Sequence, residues 1–326
     1  MKNSGFKGLG AALVSVAALG AAGPASADVY GLGKLAITGL TTEIGNLSGG
    51  TGPGAWNFST SANANLNGLS DGFLETCNGS GVGLGNCSAG IVLSGPAANG
   101  PGSVPVRADN DFSVFGQGSE FSSADAAVID AQLVGDAATS TSLIAESNLV
   151  TGTNAAASSN VASGTSLNFE FIIDDAGDGT GEFAIAFTAD WASVADITGD
   201  SEGSATGVIS ASARLTSSNG TFIDWAPNGT DGVQVCVGGA ATACIASEAG
   251  NLNTTSSSGE NGSRDENSGS GFFSLAVTGL ESGTYSFSLG ASGQSVVSQE
   301  VPAPATLLLL GAGLLAGAGT YRRRKA

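Results

Sequence analysis

Short runs with a period of two, each stopped by turn residues, limit the fold of this chain more than any other feature. Phe169, Phe171 and Ile173 alternate with Asn168, Glu170 and Ile172, and Tyr285, Phe287 and Leu289 alternate with serines. Alternation of this kind puts successive side chains on opposite faces, as in a strand with one face buried. Comparable runs recur as VYGLGKLAITGL, GSVPVRADNDFSVF, GEFAIAFTADW, GVISASARL, GTFIDW, GVQVCV and FFSLAVTGL. Between them stand Asn219-Gly220, Asn228-Gly229, Asp178-Gly179 and Ser282-Gly283, dipeptides that accept the positive φ of tight turns. The pattern predicts a mainly β fold, an antiparallel β-sandwich over residues 28–300. Ser122–Ala137 reads equally as a short helix or a strand. The Ser-, Thr-, Asn- and Gly-rich stretches at 46–70, 150–166 and 250–271 read as long loops, and the segment around Asn160 is where two subdomains would divide.

Charge excludes several functions. All 28 Asp and Glu lie between Asp28 and Glu300, whereas only Lys34, Arg107, Arg214 and Arg264 among the ten basic residues lie in that span. A field so negative repels nucleic acid and anionic lipid and favours cations or neutral partners. The chain has no histidine, so Ser-His-Asp and Cys-His catalysis are ruled out.

The remaining basic residues sit at the ends. Lys2 and Lys7 precede an apolar stretch from Leu9 to Ala22, then Gly23-Pro24 and the small residues Ala25-Ser26-Ala27. This is the order of a secretory signal peptide over residues 1–27, cut by signal peptidase before Asp28. At the other end, Ala305 to Tyr321 is an apolar run about 26 Å long as a helix, near the short limit for crossing a bilayer. Arg322, Arg323, Arg324 and Lys325 behind it would stay on the cytoplasmic side. Both ends therefore give one topology, with the body exported. Gly313 and Gly317 have a GxxxG spacing, which a tail this rich in Gly and Ala produces by chance.

Residues 301–326 closely resemble a PEP-CTERM sorting signal: Val301-Pro302-Ala303-Pro304, the apolar helix, then the Arg cluster. The resemblance implies recognition by an exosortase, a membrane transpeptidase, with a transient inner-membrane anchor, cleavage near Pro302–Pro304 and delivery to the surface or extracellular matrix. Ala303 replaces the usual Glu of the motif, which bears on the efficiency of processing. GLESGTYSFSLG resembles the closing hairpin of many bacterial surface β-sandwiches. The stretch from NFEF through ADW to FIDWAPNG is similar to that of some exosortase-dependent surface proteins.

Four cysteines form two local pairs, and in an exported chain these read as the disulfides Cys77–Cys87 and Cys236–Cys244, each within a hairpin. Loops this short stabilise by about 2–3 kcal/mol each on the entropic account. Zinc is the rival reading, but no CxxC spacing exists. Asp174, Asp175, Asp178 and Glu182 crowd a Gly-rich turn that can wrap calcium, although the spacing is not that of an EF-hand and an acidic hairpin turn is the plainer reading. Trp56, Trp191 and Trp225 read as core in preference to sugar platforms. GLSDG at 68–72 matches a nucleophile elbow but lacks a histidine partner. The expected function is a structural or interaction role at the envelope or in extracellular polysaccharide, without catalysis. The alternative is a calcium-dependent carbohydrate- or matrix-binding module. A glycosidase working with two carboxylates is the third reading, and no local pattern singles out a pair.

Overall fold

The computed structural model describes residues 28–45, 55–80, 87–94, 107–129, 139–150, 154–161, 169–173, 181–199, 202–218, 220–230, 232–233, 235–237 and 242–299. Its strands form two antiparallel sheets, numbered here in chain order. The first runs β12 (Gly232–Val233), β14 (Ala243–Glu248), β16 (Arg264–Leu280), β9 (Gly181–Ile197), β1 (Val29–Gly45), β6 (Thr139–Leu149), β5 (Phe121–Ile129), β4 (Cys87–Ser94). The second runs β13 (Val235–Val237), β11 (Phe222–Trp225), β10 (Gly203–Ser217), β17 (Gly283–Gln299), β7 (Asn154–Val161), β2 (Ala55–Leu66), β3 (Leu69–Ser80). β15 (Thr254–Ser258) adds to β10 beside β11, and β8 (Phe169–Ile173) adds to β17 beside β7. The mainly β, antiparallel expectation is met.

The sheets pack face to face, and alternation decides what lies between them. Phe183, Ile185, Phe187 and Ala189 of β9 are buried against Tyr285, Phe287, Leu289 and Ala291 of β17. Phe183 meets Phe287 across the gap at 5.2 Å between ring centroids, and Phe187 meets Trp225 at 5.7 Å. Away from this aromatic end the layers close until backbone touches backbone. A Cβ added to Gly33 would lie 2.2 Å from the Val208 carbonyl oxygen, and one on Gly207 would lie 2.2 Å from that of Leu32. Serine hydroxyls bridge the layers here: Ser193 Oγ donates to Gly207 O at 2.7 Å, and Ser295 Oγ to Gly31 O at 2.9 Å. Beyond this waist a smaller core gathers Val29, Leu66, Leu149, Ile197 and Val297.

Three expected loops contain strands. Residues 46–70 hold β2 and the start of β3, residues 150–166 hold β7, and residues 250–271 hold β15 and the first half of β16. Asn160 lies within β7, between β17 and β2 in the second sheet. Their small polar composition suits thin, closely approached regions of the sandwich, where Ala62, Ala89, Ala124 and Ala145 make a core of methyl groups. The ambiguous Ser122–Ala137 stretch is strand β5 as far as Ile129, and its remainder lies outside the described residues. β5 is buried on both faces up to Val128, which removes the alternation that would have marked it.

The second cover over β5 is the segment Arg107–Glu120, which straps the outer face of the first sheet. Arg107 pairs with Glu146 at 2.9 Å with both side chains almost fully buried. Glu146 also accepts hydrogen bonds from Tyr30 Oη and from the amides of Phe115 and Gly116. Burial raises the Glu146 pKa against these donors, and desolvation followed by the Glu146 charge raises that of Tyr30. Next to this pair, in which Arg107 Nε alone lacks a partner, lies Asp125: it is fully buried, and neither oxygen has a hydrogen bond of good geometry, only weak approaches from the Ala126 and Asn110 amides. Burial, then the charge of Asp109, pushes its pKa up to about 6, against the opposing charge of Arg107.

Two outcomes follow. Gly33→Ala forces the layers apart against backbone and should destabilise by about 3 kcal/mol, read as a lower urea midpoint. Asp125 holds a proton in the folded state that the unfolded chain releases near the ordinary 3.8. Its contribution is greatest when protonated and is lost as pH rises through about 6, by about 1–2 kcal/mol after solvent screening. Asp125→Asn should abolish that fall in melts recorded between pH 4 and 7.5.

Candidate functional site

Two places on the sandwich gather polar groups around an opening. The first is the pole where both ends of the body meet. Asp28, the residue after the expected signal-peptide cut, donates its amide to Thr198 Oγ1 at 3.1 Å and accepts from the Gly118 amide at 2.8 Å. Gln299, the last residue of β17, pairs with Gly203. Gly203 touches both ends: a Cβ built there would lie 3.3 Å from Val29 Cγ2 and 3.4 Å from Gln299 Cα. Beside the exit of β17 is a groove of about 480 Å³ lined by Glu202, Ser204, Gly259, Glu260, Asn261 and Ser298. Both glutamates are exposed, and among the described residues no basic side chain lines the groove. β17 is held to its last residues, since Ser204 and Ser298 share a hydroxyl hydrogen bond at 2.8 Å and Val297 is buried.

The second place is the outer face of the second sheet. A hollow of about 560 Å³ runs over β3, β2, β7 and β17, with Asn63, Asn65, Ser70, Asp71, Gly72 and Gln294 among its lining. Asn63 and Gly72 are register partners, and Asn63 Oδ1 occupies the space a side chain at Gly72 would take, 2.4 Å from its Cβ position. The floor therefore presents amides and hydroxyls with one carboxylate, and Leu74 stands exposed beyond Gly72 on β3. Neutral hydrogen-bonding groups set side by side suit a neutral, hydroxyl-rich ligand. Nothing in the sequence marked this hollow. Asn63 and Asn65 fall in a stretch read as loop, and Ser70 to Gly72 read only as a chance GxSxG match. Gln294 joins them only through the pairing of β17 with β7 and β7 with β2.

The expected site residues are distributed as follows. Cys77–Cys87 is formed, but it joins β3 of one sheet to β4 of the other, so it closes an edge of the sandwich and does not lie within a hairpin. Cys244 of β14 is disulfide-bonded and buried; the side chain of its expected partner Cys236, on β13 of the opposite sheet, lies outside the described residues. Trp191 and Trp225 are core. Trp191 Nε1 donates to Asn267 and its ring packs against Gly250 and Gly269, while Trp225 Nε1 donates to Glu248 at 2.6 Å. The side chain of Trp56 lies outside the described residues. So do Asp174, Asp175 and Asp178, whereas Glu182 is exposed on β9. Among the described residues the one cluster with metal-ligand spacing is Glu75, Cys77 and Cys87, whose sulfurs are spent in the disulfide. Ser70 of GLSDG follows the two-residue turn Asn67-Gly68, with φ of 50° and 85°, on a β-hairpin and not on a strand-to-helix elbow. Residues 1–27 and the whole tail from Val301, including Pro302, Ala303, Pro304 and the Arg322–Lys325 cluster, lie outside the described residues.

Comparison with curated proteins and with solved structures returns no match. A family model, the PEP-CTERM protein-sorting motif, matches residues 300–325 and so begins at the residue after β17 ends. The chain thus carries, directly after the last strand in sequence, a PEP-CTERM protein-sorting motif, which indicates exosortase-dependent sorting to the surface.

Proposed function

We propose that this protein is a non-catalytic building or binding component of the outer envelope or extracellular polysaccharide. The observation that carries the reading is the direct junction of β17 with the sorting motif. The sandwich is then cargo that runs up to the sorting motif itself, its last strand ending at Gln299. Its acidity and its hydroxyl-rich strand faces favour hydration and keep it off anionic lipid and nucleic acid. Intact mass spectrometry of the protein from fractionated native cells should find a body running from Asp28 to the neighbourhood of Pro304 outside the inner membrane. A mass that retains Arg322–Ala326 in the inner membrane would replace this reading with a permanent anchor.

The amide-lined hollow favours one partner class within that role. Asn63, Asn65 and Gln294 can each give and take hydrogen bonds, which matches the paired hydroxyls of an uncharged polysaccharide. In native affinity gels the body should be retarded by a neutral glucan or mannan and not by alginate, whose charge the acidic surface repels. The double variant Asn63→Ala with Gln294→Ala should lose at least fivefold in that affinity while keeping its melting temperature, because both side chains are exposed.

A further inference from the structure

Under the strap on the outer face of the first sheet, Asp125 leans into a space that its neighbour leaves open. Its register partner on edge strand β4 is Gly90, and a Cβ built there would lie 3.2 Å from Asp125 Oδ1 and 3.4 Å from Oδ2. Both carboxylate oxygens therefore face the spot where β4 has no side chain. Neither has a hydrogen bond of good geometry, although Asp125 is fully buried. Burying a carboxylate in that condition is costly unless something pairs with it. The turn Ala108–Asp111, closed by the Asp111 amide on the Ala108 carbonyl at 3.1 Å, brings Asp109 to the same place. There Asp109 Oδ1 accepts from Ser88 Oγ at 3.3 Å, and its charge repels that of Asp125. Ser88 lies two residues before Gly90 on β4, so it stands on the same face of the strand.

The cation under the strap is already engaged. Arg107 is bound to Glu146, to the carbonyls of Asp111 and Ser113 and to Ser123 Oγ, and it reaches Asp125 only as a charge at a distance. Glu146 matches that charge, so what balances Asp109 and Asp125 comes from outside the chain. The donors there are two carboxylates and a hydroxyl that keeps lone pairs while it donates. All are oxygens, the set that hard divalent cations take, and none is spent as the sulfurs beside Glu75 are in their disulfide. We propose that Asp125, Asp109 and Ser88 form a binding site for a divalent cation of the calcium kind, which pins the Arg107–Glu120 strap to the edge of the first sheet. Water completes the shell on the side of Gly90, which is exposed. Three protein ligands give weak binding, in the range of about 0.1–1 mM that serves extracellular modules. The site is separate from the acidic turn Asp174–Glu182 and from the amide-lined hollow, and it depends on neither.

The test is thermal unfolding of the purified full chain at neutral pH, in calcium chloride at about 5 mM and in sodium chloride of the same ionic strength, which screens the acidic surface without ligating. Calcium should raise the melting temperature by about 3 °C or more over sodium. Asp125→Asn and Asp109→Asn should each remove that rise. Gly90→Ala should remove it with both carboxylates in place, because the methyl takes the space of the ion. Asp125→Asn keeps the volume of the side chain and should melt no lower than wild type in chelator, so its insensitivity to calcium reports lost ligation and not lost folding. Asp178→Asn, in the acidic turn, should keep the full rise. Calcium should also slow hydrogen exchange over Arg107–Ser113 in the wild type and not in Asp125→Asn. No rise in calcium, or an equal rise in sodium, would overturn the site. So would a rise that survives both Asp125→Asn and Asp109→Asn, and its loss in Asp178→Asn would assign the ion to the acidic turn instead.

Discussion

The contact between backbones at the waist of the sandwich sets the terms for the rest of the fold. Two sheets packed face to face normally stand about 10 Å apart, a gap filled by side chains. At Gly31, Gly33 and Gly207 that gap is gone, and carbonyl oxygens of one sheet occupy the space where a Cβ of the other would be. Polar backbone pressed together without water must find partners, and Ser193, Ser256 and Ser295 supply them with short side chains that reach across. Large apolar residues are then confined to the two ends of the interior. The aromatic cluster of Phe183, Phe187, Trp225, Phe273 and Phe287 lies on one side of the waist and the Val29, Ile197 and Val297 cluster on the other.

Covering is the second constraint. The first sheet is buried on its outer face as well, because the Arg107–Glu120 strap lies over it. An ion pair removed from water is stabilising only when its remaining valences are met. Glu146 meets that condition through Arg107, Tyr30 and two strap amides, and Arg107 also donates to the carbonyls of Asp111 and Ser113 and lies 4.0 Å over the Phe115 ring. Asp125, under the same cover, fails it and holds its proton more tightly as a result. The strap thus fixes the position of β5 and β6 while leaving one titratable group under tension.

Period two was legible wherever large residues alternate with small polar ones, and those strands, β9, β10, β11, β16 and β17, build the main core. It was not legible in β2, β7 and β15. Their inward positions carry Ala62, Ala64, Ser256 and Ser258, residues that composition alone assigns to loops. The reason is the waist and the alanine layer, where only small side chains fit. One signal was present and passed over: Asn67-Gly68 has the dipeptide of a two-residue hairpin, flanked by Leu66 and Leu69, which pair across it. The tail-bearing site was readable in the sequence as an address, since its motif is linear. The groove beside it was not, because Glu202, Glu260 and Ser298 come together only through the pairing of β10 with β17 and the turn after β15.

The course of β17 also has a mechanical meaning. Any force applied to the chain beyond β17 would enter the sandwich at Gln299, along the axis of that strand. β17 is in register with β10 over fifteen residue pairs, from Gly203↔Gln299 to Ser217↔Tyr285, and with β7 and β8 on its other edge. A pull from that end drags the strand lengthwise between its neighbours, so the ladder is loaded in shear along its whole length. Rupture would need many hydrogen bonds to fail together, where peeling from an edge would break them one at a time. Cys77–Cys87 closes one flank of the same sandwich covalently, joining the edge strands of its two sheets.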